Sequence, residues 1–297
     1  MSIERVFVAG AGLMGHGIAQ VHAAIGKQVS LYEPDLARAL AGRERIAGNL
    51  DRAVTKGQLE PADRTAILDR VRPTDRLGDV ADADLVIEAV FEDVAVKQAL
   101  WSEIDRLARA NAIYASNTSS IAIATLASAV SEAHGPRFVG MHFFSPVPVM
   151  RLVELIRSSA TDDPTEAAIR ALVRELEAHG RSSDGAKPWV LIVSADRPGF
   201  IVNRILMPFL AEAMRALEEH LGTADDIDIG ARRGLNHPMG PLQLADFIGL
   251  DVCLGVMRVL HAGLGDARFA PPAILEELVA AGRLGQKTGQ GFHTYPR

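Results

Sequence analysis

A glycine-rich turn near the start constrains the fold more than any other part of this 297-residue chain. The apolar run from Val6 to Ala9 predicts a short strand that is buried on both faces. The turn follows at once as GAGLMG, and apolar residues then recur at helical spacing until Gly26. A second strand, Val29 to Tyr32, leads directly into Glu33. This order of strand, turn, helix and strand is typical of a parallel α/β sheet.

Each glycine of the turn has a physical role. Gly10 allows the tight turn, Gly12 lets a pyrophosphate approach the backbone, and Gly15 lets the helix pack on the strand. The helix N-terminus offers unpaired N–H groups to the phosphates. Glu33 follows Gly15 by eighteen residues, where it can bind a ribose and repel a 2′-phosphate. A glycine turn without a ligand is the alternative, but the flanking elements favour a dinucleotide, NAD rather than NADP. The predicted cofactor contacts are Gly10, Gly12, Leu13, Met14, Gly15 and Glu33.

Composition limits the other classes of function. A hydrophobic content of 48% is enough for one large domain or two ordinary ones. The net charge of −6, without a basic run, does not suggest a nucleic-acid or membrane partner. The single cysteine, Cys253, excludes an intrachain disulfide and a cysteine-based metal site. The sequence shows neither a signal peptide nor an apolar segment of membrane length, so we expect a cytoplasmic protein without a metal.

Strands and helices continue to alternate after Glu33. Strands are predicted at 71–73, 84–90 and 113–115, with a helix from Val94 to Leu107. The pattern predicts a Rossmann-type, doubly wound, mostly parallel sheet. Glu92 and Lys97 lie just beyond a strand, where ligands of such sheets are contacted. The polar run 116–120, SNTSS, can cap a helix, offer donors to a ligand, or do both.

Two later strands, Arg137 to Phe144 and Leu152 to Ile156, are joined by a short proline-containing connection in which no helix is expected. The second strand must therefore run antiparallel or leave the sheet. If the strands pair around Pro148, paired numbers sum to about 296, and His142 faces Glu154. A histidine held by a carboxylate has a fixed tautomer and is suited to act as a general base. A purely structural pair is the alternative.

The breaker Asp196-Arg197-Pro198-Gly199 marks a predicted boundary between domains 1–195 and 196–297. Beyond it the sequence predicts an all-α domain. Apolar residues recur at i, i+4 spacing in a helix that Pro208 should kink, and Thr223 to Asp226 resembles a capping box. The apolar stretch from Pro241 to His261 suggests a buried subunit interface. The i, i+4 residues are Ile201, Ile205, Phe209, Ala213 and Leu217.

Seven ordered motifs carry a resemblance to a known family. They are GAGLMGHGIA, VIEAVFEDVAVKQALW, SNTSSI, GMHFFSPVPVMRLVELI, RPGFIVNRILMPFLAEA, HPMGPLQLADFIGLD and GQKTGQGF. Through them the chain resembles the L-3-hydroxyacyl-CoA dehydrogenases, including bacterial 3-hydroxybutyryl-CoA dehydrogenases, over nearly its whole length. The resemblance implies NAD-dependent oxidation of an acyl-CoA thioester and a homodimer formed through the C-terminal domain.

The resemblance also implies roles for individual residues. His142 resembles the catalytic base and Glu154 the carboxylate that orients it. Ser119 and Asn203 resemble the residues that hold the 3-oxygen of the substrate. Lys56 falls where the family contacts coenzyme A. Further cofactor contacts are implied at Glu92, Lys97, Ser119 and Lys287.

Three departures from the family pattern accompany the resemblance. Glu33 stands where many relatives have Asp, and Ser145 stands where many have Asn. The segment Arg181 to Lys187 is longer than usual and is predicted to be a surface loop. Two other functions stay open: a dehydrogenase of a free hydroxy acid, like the gulonate dehydrogenases and lens crystallins, and a non-catalytic cofactor-binding protein. SNTSS and HFFSPVP favour the thioester enzymes, and the presence of His142 and Glu154 argues against the non-catalytic protein.

Overall fold

The computed structural model describes residues 2–180 and 187–296. Its contacts divide the chain into two compact units, 1–197 and 198–297, so the division falls two residues after the position predicted from the sequence. The segment Arg181 to Lys187, predicted to be a surface loop, lies outside the described residues except for Lys187.

The first unit contains strands and helices in alternation. Its strands are β1 (Arg5–Ala9), β2 (Gln28–Tyr32), β3 (Val71–Thr74), β4 (Leu85–Glu88), β5 (Ile113–Ser116), β6 (Phe138–Phe143), β7 (Leu152–Arg157) and β8 (Val190–Ala195). Its helices are α1 (Leu13–Ala24), α2 (Leu36–Thr55), α3 (Pro61–Asp69), α4 (Val94–Leu107), α5 (Ile123–Ala127), α6 (Val147–Met150) and α7 (Asp163–Gly180). Short 3₁₀ turns span Leu77–Asp82 and Gly135–Arg137.

All eight strands form one sheet in the order β3-β2-β1-β4-β5-β6-β7-β8. The pairs from β3 across to β6 are parallel, β7 is antiparallel to β6, and β8 is parallel to β7. The predicted Rossmann-type, mostly parallel sheet is therefore confirmed. The order reverses between β1 and β4, and ligands of such sheets bind in the crevice at the carboxyl ends of these strands.

The hairpin of β6 and β7 confirms one prediction and corrects another. Its register runs from Val139 opposite Arg157 to Phe143 opposite Val153, which places His142 opposite Glu154 as the numbering predicted. The connection was expected to hold no helix, yet it contains the single turn α6. Pro146 and the proline at position 148 do not prevent this turn, because the first N–H groups of a helix need no intrahelical partner.

The second unit is helical, as predicted. Its helices are α8 (Val202–Glu218), α9 (Ala224–Gly234), α10 (Pro241–Ile248), α11 (Leu250–Leu264) and α12 (Ala273–Ala280), with 3₁₀ turns at Ala267–Phe269 and Gln286–Thr288. The predicted capping box is present at the start of α9: the Thr223 hydroxyl accepts from the N–H of Asp226, whose carboxylate accepts from the N–H of Thr223.

Helix α8 contains Pro208 and buries only part of the apolar set that predicted it. Ile205 is 67% exposed, whereas Met207, Leu210 and Met214 lie in the core of the second unit. Steps of four residues advance by about 40° more than a full helical turn, so a long i, i+4 series moves off one face. Among the described residues, no single helix is both long and apolar enough to cross a membrane. Helices α10 and α11 reach that length and apolar content only when taken together, and they are bent by 97° where they meet.

Candidate active site

The glycine turn lies at the carboxyl ends of β1 and β4. Gly10 has a φ of +105°, and a Cβ there would lie 2.6 Å from the carbonyl oxygen of Ala89, which follows β4. A Cβ on Gly15 would overlap the carbonyl oxygen of Gly10, so α1 can begin this close to the strand only with glycine at position 15. Space beside Gly12 is open, with no heavy atom of the described residues within 4 Å of a Cβ built there. The backbone therefore offers the cradle that a pyrophosphate needs.

Glu33 is half-buried at the carboxyl end of β2 and contacts the turn itself. Its Oε1 accepts a hydrogen bond of 2.8 Å from the N–H of Ala11. The acid is thus held beside the turn, where an adenosine ribose bound at the switch point would lie. Its contact with the ribose hydroxyls stays a prediction.

Three side chains are linked by hydrogen bonds near the end of the β6–β7 hairpin. The Oγ of Ser119 lies 3.1 Å from Nε2 of His142, and Nδ1 of the same ring lies 3.0 Å from Oε2 of Glu154. Side chains alternate between the faces of a strand, so His142 faces away from its core neighbours Met141 and Phe143. His142 is 4% exposed and Glu154 is fully buried. Because a carboxylate only accepts, Nδ1 carries the proton and Nε2 is the basic nitrogen.

Glu92 holds the loop that carries Ser119. Its Oε1 accepts hydrogen bonds from the hydroxyl of Thr118 (2.6 Å), the N–H of Ser119 (2.8 Å) and the N–H of Ser120 (3.1 Å). Burial would raise the pKa of Glu92, but Lys97 and these donors outweigh burial, and the pKa lies below its ordinary value. The carboxylate is therefore charged at neutral pH and fixes the position of Ser119.

Asn117 ties the same loop to β6, because its Oδ1 accepts a hydrogen bond of 2.8 Å from the N–H of Phe143. The serine and the histidine are thus fixed to each other through the backbone as well as through their side chains. The sequence placed Asn117 within the polar run and within the motif SNTSSI. Neither shows that its side chain joins the loop after β5 to β6.

Lys97 is buried beneath this loop. Its side chain is 1% exposed, and its ammonium lies 2.5 Å from Oε1 of Glu88 and 3.2 Å from Oε2 of Glu92. Glu88 is fully buried and also accepts from the hydroxyl of Ser116 at 2.7 Å. Sequence reasoning missed Glu88, although an acid at the end of an otherwise apolar strand was the available signal. A direct contact between Lys97 and a cofactor stays a prediction. In the structure its ammonium forms ion pairs with Glu88 and Glu92.

A cavity of about 720 Å³ lies within the first unit, beside the glycine turn. Leu13 and His16 of α1 line one end, and Lys56, which caps α2, lines another part. The connection after β6 closes on α1 because Gly17 has no side chain: a Cβ there would lie 3.0 Å from Cβ of Val147. Among the described residues, the wall contains no carboxylate. Its basic or imidazole-bearing residues are His16, Arg52, Lys56, Arg151 and His179.

Two predicted site residues belong to the second unit. Asn203 lies in the first turn of α8 and is 8% exposed. Lys287 lies in the 3₁₀ turn Gln286–Thr288, and its ammonium is 2.5 Å from Oδ1 of Asp251. The structure brings together Ser119, His142 and Glu154 within the first unit, and the roles of Asn203 and Lys287 stay predictions.

The sheet order and the glycine turn at its switch point define the first unit as a Rossmann-type dinucleotide-binding domain. Comparison with known proteins narrows this class. Residues 5–180 match the family model of the 3-hydroxyacyl-CoA dehydrogenase NAD binding domain, and residues 199–295 match that of the 3-hydroxyacyl-CoA dehydrogenase C-terminal domain. A 3-hydroxybutyryl-CoA dehydrogenase of Bradyrhizobium diazoefficiens is 45% identical over 293 residues, which cover 99% of this chain and 96% of that one.

Two solved structures agree closely with this one. The crystal structure of Mycobacterium tuberculosis FadB2 has a TM-score of 0.94 at 40% identity. That of (S)-3-hydroxybutyryl-CoA dehydrogenase PaaH1 from Ralstonia eutropha has a TM-score of 0.91 at 43% identity, and both comparisons cover 100% of each chain. The chain belongs to the 3-hydroxyacyl-CoA dehydrogenase family, which confirms the resemblance found in its motifs. It is an oxidoreductase that acts on a CH–OH group, and its first unit is the NAD-binding domain.

Proposed function

We propose that the protein oxidises L-3-hydroxyacyl-CoA thioesters to 3-ketoacyl-CoA with NAD⁺ and catalyses the reverse reduction, with short-chain substrates such as 3-hydroxybutyryl-CoA. The observation that carries the proposal is the hydrogen-bonded chain from Ser119 through His142 to Glu154. It supplies a base of fixed tautomer near the carboxyl ends of the parallel strands, where the glycine turn also lies. Two strands and a loop hold it, so little reorganisation is needed for proton transfer.

His142 moves the proton in this proposal. Its Nε2 removes the proton of the 3-hydroxyl group, while Glu154 holds Nδ1–H and stabilises the imidazolium that forms. In the reductive direction the protonated ring returns the proton to the 3-oxygen. When bound, a nicotinamide cofactor would supply the acceptor for the hydride that leaves C3 during oxidation. A general base of this kind contributes about 10²–10⁴ in rate.

The substrate oxygen needs donors as negative charge develops on it. The hydroxyl of Ser119 is proposed as one donor, since it already lies within hydrogen-bonding distance of Nε2. Asn203 is proposed as the second donor on the family pattern. Removal of one such donor typically costs about 10²–10³ in rate.

The glycine turn and Glu33 would hold the cofactor. The open space at Gly12 and the unpaired N–H groups at the start of α1 fit a pyrophosphate. A carboxylate at position 33 would bind a ribose and repel a 2′-phosphate, which supports NAD over NADP. Further contacts are proposed from Glu92, Lys97 and Lys287.

The cavity of the first unit supports a coenzyme A thioester over a free hydroxy acid. Its wall combines cations, suited to phosphates, with the apolar side chains of Val21, Val147 and Leu176, suited to a pantetheine arm. Lys56 forms no ion pair with the described residues and would contact the coenzyme A phosphates. A small free acid would use little of this volume, and a non-catalytic binding protein would need no buried histidine–glutamate pair.

We further propose a homodimer formed through the helical unit. Ile205, Leu235 and Phe247 are 67%, 63% and 47% exposed, and such side chains are usually covered in an obligate interface. Light scattering after gel filtration should then give about 64 kDa, twice the chain mass of 31.8 kDa. A cytoplasmic location and a place in fatty-acid metabolism, such as β-oxidation, complete the proposal.

The test is a spectrophotometric assay of NADH and NADPH oxidation with acetoacetyl-CoA, longer 3-ketoacyl-CoAs and free acetoacetate. We expect turnover of acetoacetyl-CoA with NADH and little turnover of free acetoacetate. His142→Ala should lower turnover by about 10²–10⁴ while NADH still binds. Equal turnover of acetoacetate, or near-normal activity of the histidine variant, would contradict the proposal.

A second histidine–carboxylate pair, in which the histidine is buried, provides the matched control. His134 lies 2.6 Å from Oδ1 of Asp105, and its Nε2 is 3.3 Å from the carbonyl oxygen of Arg109. Both ring nitrogens thus have protein partners, and the pair lies before the amino end of β6. His134→Gln should lower stability but leave the turnover of the folded enzyme within about fivefold of the parent. For the cofactor, Glu33→Ala should weaken NADH binding and reduce discrimination against NADPH.

A further inference from the structure

Three side chains hold successive peptide units of the glycine turn, and the sequence analysis assigned no role to two of them, His16 and Arg45. Glu33 accepts from the N–H of Ala11 at 2.8 Å. Arg45 donates to the carbonyl oxygen of Ala11 at 3.2 Å. Nδ1 of His16 lies 2.7 Å from the carbonyl oxygen of Gly12, and since a carbonyl oxygen only accepts, the imidazole donates this bond.

Because a peptide unit is planar and trans, a side chain that holds its C=O also sets the direction of its N–H. In each planar unit the C=O and the following N–H point in opposite directions. Arg45, by holding the carbonyl of Ala11, therefore fixes the direction of the N–H of Gly12. The carbonyl of Gly12 accepts from the backbone N–H of His16 at 3.2 Å as well as from its ring, and the ring bond adds to the bond that fixes the N–H of Leu13. These two N–H groups are the first donors at the N-terminus of α1, where a pyrophosphate would bind.

The packing of α2 allows Arg45 to reach the turn. At Gly42 this helix lies directly against Ala11: a Cβ on Gly42 would be 2.7 Å from Cβ of Ala11 and 2.9 Å from its carbonyl oxygen. Arg45 follows Gly42 by three residues and so lies on the same side of the helix. Its guanidinium makes this one hydrogen bond with the described residues, so other N–H donors and the positive charge stay beside the phosphate site.

We propose that Arg45 and His16 are positioning residues for the dinucleotide pyrophosphate, with Arg45 also adding positive charge beside the turn. The inference rests on the proposed use of a dinucleotide cofactor, and its new content is that α2 takes part in cofactor affinity. Burial lowers the pKa of His16, and the nearby charge of Arg45 acts in the same direction, whereas the bond to Gly12 opposes both. The ring is therefore a neutral donor at pH 7. Glu33, Arg45 and His16 would fix the turn before the cofactor arrives.

The test measures binding of three ligands to the full-length protein by titration calorimetry: NADH, ADP-ribose and adenosine. ADP-ribose has the pyrophosphate without the nicotinamide, and adenosine lacks both. Arg45→Met should raise the Kd of NADH and of ADP-ribose by about fivefold to twentyfold and leave that of adenosine within twofold. Arg45→Lys should restore part of the loss, and His16→Ala should weaken the same two ligands by about threefold to tenfold.

Arg106→Met is the control, since it removes the same charge from an exposed position in the last turn of α4. It should change none of the three affinities. Equal weakening of adenosine and ADP-ribose by Arg45→Met, or an unchanged Kd for ADP-ribose, would overturn the proposal. Because ADP-ribose binding needs no turnover, this outcome is separate from failure of the acyl-CoA assay.

Discussion

Lys97→Met tests the buried charges beneath the Ser119 loop. The ammonium of Lys97 is the cation that faces the fully buried carboxylate of Glu88. Removal of one partner of a buried ion pair typically costs about 3–5 kcal/mol, because the other charge stays in a medium of low polarity. Glu88 keeps two donors, the N–H of Val90 at 2.9 Å and the hydroxyl of Ser116 at 2.7 Å, so we expect a loss near 3 kcal/mol.

Urea unfolding followed by tryptophan fluorescence gives the required measurement. The chain has two tryptophans, Trp101 and Trp189, and both lie in the first unit, so the signal reports on the unit that contains the pair. Trp101 is fully buried one helical turn after Lys97 and should respond to any loosening there.

Two further variants separate the pair from general effects of the substitution. Adding Glu88→Gln to Lys97→Met should recover about 2 kcal/mol, because no unpaired charge is then buried. Lys27→Met is the matched control: Lys27 is 5% exposed, but its partner Glu175 is 46% exposed and can be hydrated, so the loss should be below about 1 kcal/mol. A loss below about 1 kcal/mol for Lys97→Met, or a double variant less stable than the single one, would refute the reasoning.

Three other predictions concern stability. His22 is fully buried, and burial lowers its pKa to about 4. The free energy of unfolding should therefore fall by roughly 3 kcal/mol as the pH falls from about 6.5 to about 4. His22→Phe should abolish that part of the acid-induced fall in Tm. Asp246 accepts from two backbone N–H groups and the hydroxyl of Tyr295, so Asp246→Ala should speed tryptic cleavage after Lys287, as mass spectrometry would detect. Thr223→Ala removes a helix cap and should cost the helical unit about 1 kcal/mol, measured by circular dichroism.

Local rules of chain geometry explain which parts of the fold could be predicted. The pairing of His142 with Glu154 followed once the strands were taken to reverse around Pro148, since the position of the reversal sets the register of an antiparallel pair. The capping box at the start of α9 followed from the three-residue spacing between Thr223 and Asp226. The series from Ile201 to Leu217 predicted the helix but not its buried face, because that face depends on what packs against α8 and not only on the spacing.

Networks of long sequence separation could not be predicted in the same way. The cofactor contact of Glu92 stays a prediction. The sequence did not predict that its carboxylate holds three consecutive residues from Thr118 to Ser120, which lie 26 to 28 positions away. No periodicity or motif encodes such a contact, since it arises only when β4 and β5 become neighbours in the sheet. Predictions of this kind need the topology first.

The same dependence on topology separates residues that react from residues that hold them. Ser119 and His142 can be found from motifs, because a reaction requires specific chemical groups at specific places. Lys97, Glu88 and Arg45 hold other groups, and many arrangements of charges could do this, so their residue types alone carry little information. Burial supplies what the sequence lacks: a lysine that is 1% exposed beside a fully buried glutamate must be paired, and its partners then show which loop it supports.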